Sequence, residues 1–426
     1  MKVLWFSPTP CGSVKRKGKQ TIGGGWLISL EEELKKQQGI ELEVAYISSV
    51  NEASFEFEGV RYHPLVVPKG KNKIQRFMAL RRSEINLERK LMPQIMRLLD
   101  ETRADIIHVH GTESALSAVV TMMTNKPVVV SIQGLTSPIS QKYFSGIPMD
   151  KSVRMDSFKD ILSGQGIKKV WHKFVQKTKR ESRVLQQAPY IFGRTFWDYD
   201  CTLALNPERK YHVVNEIMRA PFYKISWKGS FRASHIDIIT VISGAVYKGF
   251  EVILETAKLL KTYGKLPFTW HIVGYDQKSK WVRISEKLKH IKSLEVNIVF
   301  HGRKSAEDLA LLLSQNDIYV NTSHIENSPN SVCEAMLVGM PVIASYAGGT
   351  ASLLQHEKEG ILVQDGDPYV LAGAIVDYIQ HPEKAISYAH NARKKAMERH
   401  DKNKIVKELI DGYCKILNKP NNYIIN

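Results

Sequence analysis

Short apolar runs alternate with amphipathic segments along almost the whole chain, and this alternation limits the possible folds more than any other feature. In the first half, KVLWFS, LEVAYIS, DIIHVHG and PVVVSIQG look like strands buried on both faces, and WLISLEEELKKQ and LERKLMPQIMRLLDE look like helices between them. The second half repeats the scheme, from IDIITVISG to GILVQDG. Strands that alternate with helices in this way predict a parallel, doubly wound sheet in each half.

The chain is too long for one ordinary core, since it has 426 residues. A poorly periodic stretch, 206–234, separates the two halves. We therefore predict an α/β protein with two Rossmann-like, doubly wound parallel-sheet domains that face each other across a cleft. The expected domains are 1–205, joined by a C-terminal helix at about 402–420, and 206–401. Ligands of open parallel sheets bind beyond the carboxyl ends of the strands, so we expect the site in the cleft.

The charge is strongly positive and unevenly distributed. The chain has 60 Lys and Arg residues against 43 Asp and Glu, a net charge of +17. Polyanions, phosphorylated small molecules and anionic membranes are all possible partners for such a chain. The segment 168–183, KKVWHKFVQKTKRESR, carries seven basic residues and one acid, with Trp171 and Phe174 at helical spacing. A solvated helix against the core and a basic helix on anionic lipid are both compatible with this pattern.

The expected compartment is the cytoplasm, either free or peripheral on the inner face of the membrane. The four cysteines have no metal-ligand or disulfide spacing, the N-terminus runs directly into an apolar strand, and no apolar run approaches the roughly 20 residues of a membrane span.

The stretch 324–345, HIENSPNSVCEAMLVGMPVIAS, combines helix-starting residues with two carboxylates. Ser328 can cap a helix whose first turn accepts Pro329, and Gly339 suits the position after its end. The N–H groups of residues 330–332 would then form an anion site at the carboxyl edge of a sheet.

The two carboxylates suit a nucleotide. Glu334, one turn inside the helix, is placed to accept both hydroxyls of a ribose. Glu326, on the loop before it, would face the group attached beyond the phosphates. Taken alone, the pair is better explained as a surface glutamate and a helix N-terminal glutamate that favours the helix dipole. Together with the surrounding pattern, it predicts a nucleoside-diphosphate clamp.

The same residues carry a family resemblance. S-x-x-E-N-S-P-N-S-V-x-E-A-M-x-x-G-x-P-V-I-A-S is similar to the E-x7-E motif of retaining glycosyltransferases of family 4, which have the GT-B fold. VYKGFEVILETAKLL resembles the family segment whose lysine binds the donor diphosphate, and YAGGTASLL, GILVQDGDPYVLAGAI, IGGGW and DIIHVHG also agree. The resemblance spans nearly the full length, and its specific part lies between Val246 and Ile375.

The resemblance implies roles for particular residues. The residues expected to carry the chemistry are Glu326, Lys248 and His110. Donor-binding residues are expected to be Gly24, Gly25, Gly244, Lys248, Arg303, Glu326, Asn327, Ser328, Asn330, Ser331, Val332 and Glu334. The acceptor-side residues are His110, Gln133 and Arg194. No metal and no cofactor beyond the sugar nucleotide is expected, because Lys248 and the helix start would hold the diphosphate.

The chain departs from the family pattern in three places. The family has an arginine five positions before its phosphate lysine, where this chain has Ser243, so Arg303 is expected to meet the phosphate charge. Gln133 stands where the family commonly has a histidine. The segment 192–211, FGRTFWDYDCTLALNPERKY, also replaces the usual end of the first domain.

The resemblance implies a retaining transferase that moves a sugar from a nucleoside diphosphate to a hydroxyl. Its expected setting is cell-surface polysaccharide or glycolipid synthesis. A saccharide or lipid-linked acceptor and an anionic membrane surface are the expected partners, without nucleic acid. The alternatives are a GT-B sugar-nucleotide epimerase and an inactive polyanion-binding protein on the same scaffold. Whether Glu326 is a nucleophile or an orienting group stays open, although the front-face mechanism of the family favours orientation.

Overall fold

The computed structural model describes residues 1–18, 25–68, 84–229, 231, 235–242, 244–264, 267–421 and 423. The chain forms two compact units. The first unit contains 1–140, 156–217 and 400–426, and the second contains 141–155 and 218–399.

The strands are Lys2–Ser7 (β1), Glu41–Ser48 (β2), Phe55–Phe57 (β3), Val60–Val66 (β4), Ile106–His110 (β5), Val128–Ser131 (β6), Tyr190–Gly193 (β7), Lys210–Val213 (β8), Ile236–Val241 (β9), Phe268–Val273 (β10), Ile298–Gly302 (β11), Ile318–Asn321 (β12), Val342–Ser345 (β13) and Ile361–Val363 (β14).

The α-helices among the described residues are Gly25–Leu34 (α1), Glu84–Glu101 (α2), Ala115–Met123 (α3), Thr136–Gln141 (α4), Met149–Val153 (α5), Phe158–Ser163 (α6), Ile167–Gln187 (α7), Phe196–Leu205 (α8), Pro221–Lys224 (α9), Phe250–Leu259 (α10), Lys280–Lys289 (α11), Ala306–Gln315 (α12), Asn330–Val338 (α13), Thr350–Leu353 (α14), Pro368–Gln380 (α15), Pro382–Arg399 (α16) and Lys402–Leu417 (α17). Short 3-10 turns lie at Cys11–Lys17, Val246–Lys248 and Ser293–Val296, and a π-helical turn at Leu260–Gly264 follows α10.

The first unit is built on an eight-stranded sheet in the order β3-β4-β2-β1-β5-β6-β7-β8. All of its pairings are parallel except the hairpin of β3 and β4. Two apolar clusters bury the side chains of β1 and β5, which is why both strands read as continuous apolar runs. The strands that follow β1 in the chain are added toward one edge of the sheet, and those that follow β5 are added toward the other edge. The sheet therefore has a topological switch point between β1 and β5.

The second unit is built on a six-stranded parallel sheet in the order β11-β10-β9-β12-β13-β14. Apolar clusters lie on its two faces, one with Trp270 and Ile238 and the other with Tyr319 and Ile239. Here the switch point lies between β9 and β12, because the strands that follow each of them extend to opposite edges. The loops after β9 and β12 therefore meet at the carboxyl edge where ligands of such sheets bind.

The structure confirms the predicted α/β class with two parallel-sheet domains. The strand-like runs quoted above are strands, whereas β3, β4, β7 and β8 were not predicted. β8 is short and partly charged, KYHV, and only its pairing with β7 makes it a strand.

The unit boundaries differ from the predicted domain limits in two places. Residues 206–217 lie in the first unit because β8 extends its sheet. Residues 141–155 leave the first unit and form part of the second. The last helix, α17, belongs to the first unit.

Among the described residues, no helix combines the length and the apolar character that crossing a membrane would require.

Candidate functional site

Lys248 and Glu326 meet at the carboxyl edge of the second sheet. Lys248 ends the turn after β9, and Glu326 lies in the loop after the neighbouring strand β12. The Lys248 ammonium donates to Glu326 Oε1, and Ser323 Oγ donates to the same oxygen over 3.0 Å. Both charged side chains remain partly accessible. The structure thus brings together the two residues that the sequence analysis placed at the centre of the site.

The loop after β9 is hydrogen-bonded to the loop after β12. The His324 N–H donates to the Tyr247 carbonyl over 2.8 Å, and Thr322 Oγ1 donates to the Lys248 carbonyl over 3.1 Å. Gly249 has a φ of +74°, and a Cβ there would lie 2.0 Å from the Thr322 carbonyl oxygen. A glycine after Lys248 is therefore required for the close approach that joins the two loops.

A second glycine turn supports Glu326 from the other side. The Gly349 N–H donates to the Glu326 carbonyl over 2.9 Å. Gly348 has a φ of +54°, and a Cβ there would lie 2.0 Å from the same carbonyl oxygen. The Gly-Gly pair that the sequence analysis noted in YAGGTASLL thus holds the backbone of the carboxylate loop.

Helix α13 begins beside this loop, with a different cap from the one predicted. Its N-cap is Pro329 rather than Ser328, because Pro329 has an extended backbone and the helical conformation starts at Asn330. The Val332 N–H donates to the Pro329 carbonyl over 2.9 Å, so it does not point out of the helix as expected. Asn330 is exposed and Ser331 is half-buried, whereas Asn327 and Ser328 are buried.

Glu334 is buried inside α13 and pairs with Arg219. The Arg219 Nε and Nη2 groups donate to Glu334 Oε1 over 2.9 and 2.6 Å. Burial raises the pKa of Glu334, and the charge and hydrogen bonds of Arg219 oppose that rise. The sequence analysis did not identify Arg219, because it lies 115 residues earlier in a segment without periodicity.

Other expected donor residues are more dispersed. Gly244 and Arg303 are exposed near the carboxyl ends of β9 and β11, and β11 is the edge strand two positions from β9. Gly25 is the first residue of α1 in the first unit. Gly24 and Ser243 lie outside the described residues.

The expected acceptor-side residues lie near the carboxyl ends of β5, β6 and β7 in the first unit. His110 is buried, and neither of its ring nitrogens has a hydrogen-bond partner among the described residues. Burial, with the charges of His108 and Arg194, holds the pKa of His110 well below its ordinary value. The Gln133 side-chain nitrogen is also buried without such a partner in the described chain.

Trp26 connects two of these residues. The Arg194 guanidinium lies 4.4 Å above its ring centroid, and the His110 ring lies edge-on at 6.0 Å. No role for Trp26 was predicted from the stretch IGGGW. Its position directly after the glycines was the one sequence feature that could have indicated a role in the site.

His324 is the centre of a charged cluster that the sequence analysis missed. Its Nε2 lies 2.6 Å from Glu251 Oε1, and its Nδ1 lies 3.5 Å from Asp365 Oδ2. Burial lowers the pKa of His324, but the two carboxylates outweigh it and the net pKa is raised. Gly146, in the segment 141–155, packs so closely here that a Cβ would lie 1.6 Å from Glu251 Oε1.

Within the described ranges, no three or more His, Cys, Asp or Glu side chains are grouped in a way that could hold a metal ion. The sequence was expected to contain nothing that resembles an Asp-x-Asp metal site. Two Asp-x-Asp patterns, 198–200 and 365–367, are nevertheless present, and one aspartate of each caps a helix. Asp198 forms a capping box with Thr195 at the start of α8, and Asp367 caps α15.

The fold is that of two-domain glycosyltransferases of known structure. Sucrose-phosphate synthase from Thermosynechococcus elongatus superposes with a TM-score of 0.69 at 16% identity, covering 98% of this chain and 99% of that one. Anabaena Alr3699/HepE, solved in complex with UDP and glucose, superposes with a TM-score of 0.64 at 15% identity, covering 96% and 98%. At these identities the likeness establishes the GT-B fold class alone.

Sequence comparison finds similarity over part of the chain. Residues 224–395 match the family described as glycosyl transferases group 1. The putative colanic acid biosynthesis glycosyltransferase WcaL of Escherichia coli K12 is 28% identical over 154 residues, 35% of this chain and 37% of its own length. The amylovoran biosynthesis glycosyltransferase AmsK of Erwinia amylovora is 28% identical over 169 residues, 38% and 40%. These matches span about two fifths of the length of each relative.

Proposed function

We propose that the protein is a retaining glycosyltransferase that moves a sugar from a nucleoside diphosphate to a hydroxyl acceptor. The observation that carries the proposal is the Lys248–Glu326 pair at the switch point of the second sheet, beside the start of α13. A cation and a helix N-terminus together suit a diphosphate leaving group. The family match of residues 224–395 covers both Lys248 and Glu326.

In the proposed reaction, the bond between the anomeric carbon and the phosphate oxygen breaks, and its electron pair leaves with the diphosphate. The acceptor oxygen bonds to the anomeric carbon on the same face, and its proton passes to the departing phosphate. Lys248 stabilises the charge that develops on the diphosphate, which makes a metal ion unnecessary in this scheme. Glu326 orients the sugar, a role supported by the fixed position of its Oε1 between Lys248 and Ser323.

The proposed donor is a UDP-sugar. Glu334 would accept the ribose hydroxyls, with Ser331 and Asn330 near the phosphates and Arg303 as a further donor contact. The choice of uridine is supported by the structural neighbours, since Anabaena Alr3699/HepE was solved with UDP and glucose.

The acceptor side is assigned to the first unit, with His110, Gln133 and Arg194. The buried ring nitrogens of His110 and the buried nitrogen of Gln133 have no partner among the described residues, which supports a polar ligand there. The names of WcaL and AmsK refer to polysaccharide biosynthesis. We therefore place the acceptor among saccharides or lipid-linked saccharides, and the protein at the cytoplasmic face of a membrane.

The test is incubation of the full chain with a panel of sugar nucleotides, with and without saccharide acceptors. Transfer or slow release of UDP supports the proposal, and the anomeric configuration of the product, read by NMR, tests retention. An epimerised sugar would identify the epimerase alternative, and no turnover of any donor would favour the inactive polyanion-binding alternative.

A matched pair of variants locates the chemistry. Lys248→Met should lower kcat by about 10²-fold or more, because it removes a charge aimed at the leaving group. Lys287→Met, an exposed lysine on α11 of the same unit, should leave kcat unchanged. Equal activity of both variants would exclude Lys248 from the leaving-group site.

A further inference from the structure

The Arg219–Glu334 ion pair has an unusual geometry for a carboxylate that is expected to hold a nucleotide. Both Arg219 hydrogen bonds end on the same oxygen, Glu334 Oε1. The Glu334 side chain is only 6% exposed, and that of Arg219 is 32% exposed. One oxygen of the carboxylate is thus fixed by the protein, and Oε2 carries no hydrogen bond from the described residues.

Arg219 is itself held in place before any ligand binds. Its guanidinium lies 4.8 Å above the ring centroid of Phe222, which is fully buried in helix α9. Met218 and Phe222 belong to the same apolar cluster as Val332 and Ala335 of α13. The segment that carries Arg219 is therefore packed against the helix that carries Glu334, and little side-chain entropy remains to be lost on binding.

A buried carboxylate without a counter-ion takes up a proton, and a protonated Glu334 would lose the charge-assisted hydrogen bonds to two ribose hydroxyls. We propose that Arg219 is a positioning residue for the donor nucleotide, which keeps Glu334 ionised and turned so that its second oxygen meets the ribose. This inference rests on the proposed function.

Arg219 thus places beside Glu334 a cation that the sequence did not predict, in a role separate from the phosphate contact expected of Arg303. Arg303 is exposed after the edge strand β11, two strands from Lys248. Arg219 instead contacts a residue of α13 directly. A guanidinium that is already oriented loses less entropy per hydrogen bond than a freely rotating one.

Two further groups can influence the titration of Glu334. Burial raises the pKa of the Tyr319 hydroxyl on β12, and the charges of Glu334 and Glu326 add to that rise, whereas neighbouring Ser331 and Asn321 oppose it. Arg393 on α16 donates to the carbonyls of Leu337 and Val338 at the opposite end of α13. Both are unchanged in the variants below, so a shift between variants reports the loss of Arg219.

The experiment is calorimetric titration of the full chain with UDP and with uridine between pH 6 and pH 8.5. Uridine is included because it carries the ribose without a titrating phosphate. Arg219→Met should weaken both ligands at least tenfold near pH 7, and the loss should shrink as pH rises, because the Glu334 carboxyl then ionises without its counter-ion. Glu334→Gln should lose as much affinity as Arg219→Met loses near pH 7, and this loss should be the same at every pH. The double variant Arg219→Met/Glu334→Gln should bind no worse than Glu334→Gln.

Two other variants complete the design. Arg219→Lys keeps the charge with fewer hydrogen bonds, so its pH profile should stay near that of the wild type. If Arg219→Met does not fold, Arg219→Gln replaces it, because it removes the charge but keeps hydrogen-bond donors, and it should show the same pH-dependent loss. Arg283→Met, an exposed arginine on α11, is the matched control and should bind as the wild type.

The inference is overturned if Arg219→Met binds both ligands like the wild type, or if its loss is the same at every pH. It is also overturned if the losses of the two single variants multiply in the double variant, since independent sites would behave in that way. A wild-type chain that binds no nucleotide would instead overturn the proposed function. The two failures are therefore distinguishable.

Discussion

Side chains at this site are held in position by partners far away in the sequence, and His324 is an example. Its ring lies between Glu251 on α10 and Asp365 in the loop after β14. The Glu251 and His324 side chains are only 2% and 3% exposed. The Lys142 ammonium lies 3.1 Å from Asp365, so a second cation completes the cluster. A buried set of charges like this is costly to break, because the remaining partner keeps its desolvation penalty.

His324→Ala should therefore destabilise the second unit by about 3–5 kcal/mol. The pKa of His324 is raised in the folded chain. The ion pairs thus contribute their full stability below about pH 6.5, the ordinary histidine pKa. They lose it as pH rises through the raised folded pKa. Native-state hydrogen exchange of the β9 and β12 amides should show this pH-dependent loss in the wild type and not in His324→Ala.

The control for this measurement is His390→Ala, an exposed histidine on α16 of the same unit, which should keep the wild-type profile. A pH-dependent loss of equal size in His324→Ala would show that other groups cause it.

At the scale of elements, the short helix α6 lies directly before the basic segment 168–183 and exposes the apolar side chains that this surface would need to contact lipid. Trp171 and Phe174 of α7 are half-buried and stack on each other with ring centroids 5.9 Å apart. The exposed apolar side chains lie instead on α6, where Phe158, Ile161 and Leu162 are 76%, 57% and 46% exposed. A basic helix that follows an exposed apolar helix is typical of a surface that contacts anionic lipid.

We expect the protein to cosediment with anionic vesicles at low salt and not with neutral ones. Each basic residue near such a surface contributes about 1 kcal/mol, screened by salt. Reversing Lys169, Lys173 and Lys177 to Glu, or replacing the three exposed α6 side chains by Ser, should weaken cosedimentation strongly. Donor hydrolysis should stay intact in both variants, because Lys248, Glu326 and Glu334 lie in the second unit.

Reversal of Lys287, Lys394 and Lys407 makes the same change in net charge at exposed positions elsewhere. If this control variant loses as much binding as the α7 variant, the attraction is due to overall charge and not to this surface.

At the scale of the whole molecule, the chain crosses between its two units more often than a simple succession of domains requires. The segment 141–155 is contributed to the second unit, and α17 returns to the first. The Tyr413 hydroxyl of α17 accepts a hydrogen bond from Trp5 Nε1 over 3.0 Å and lies 2.6 Å from His108 Nδ1. The last helix thus satisfies buried polar groups on the two central strands of the first sheet.

Tyr413→Phe should lower the free energy of unfolding of the first unit by about 1–3 kcal/mol, because the Trp5 indole and the His108 ring lose a buried partner. Faster hydrogen exchange of the β1 and β5 amides would report the change directly. Tyr369→Phe, an exposed tyrosine in the second unit, is the control. Unchanged exchange in Tyr413→Phe would mean that packing of α17, and not its hydroxyl, stabilises the sheet.

The sequence alone determined the fold class and the local parts of the site. Parallel strands buried on both faces must be continuously apolar, so the runs around β1, β5, β9 and β12 could be recognised directly. The loop of Glu326 and the helix of Glu334 could also be predicted from the sequence. Both lie within one short stretch, and its turn and helix-capping residues determine the backbone over only a few positions.

The tertiary structure alone decided which distant side chains complete that site. Arg219 and Glu334 are 115 residues apart, and His324 and Glu251 are 73 residues apart. Each pair forms only because chain segments distant in the sequence pack against each other. The short strands β7 and β8 likewise exist only through their neighbours. Propensity and periodicity act over a few residues, whereas a buried ion pair depends on packing that no local pattern records.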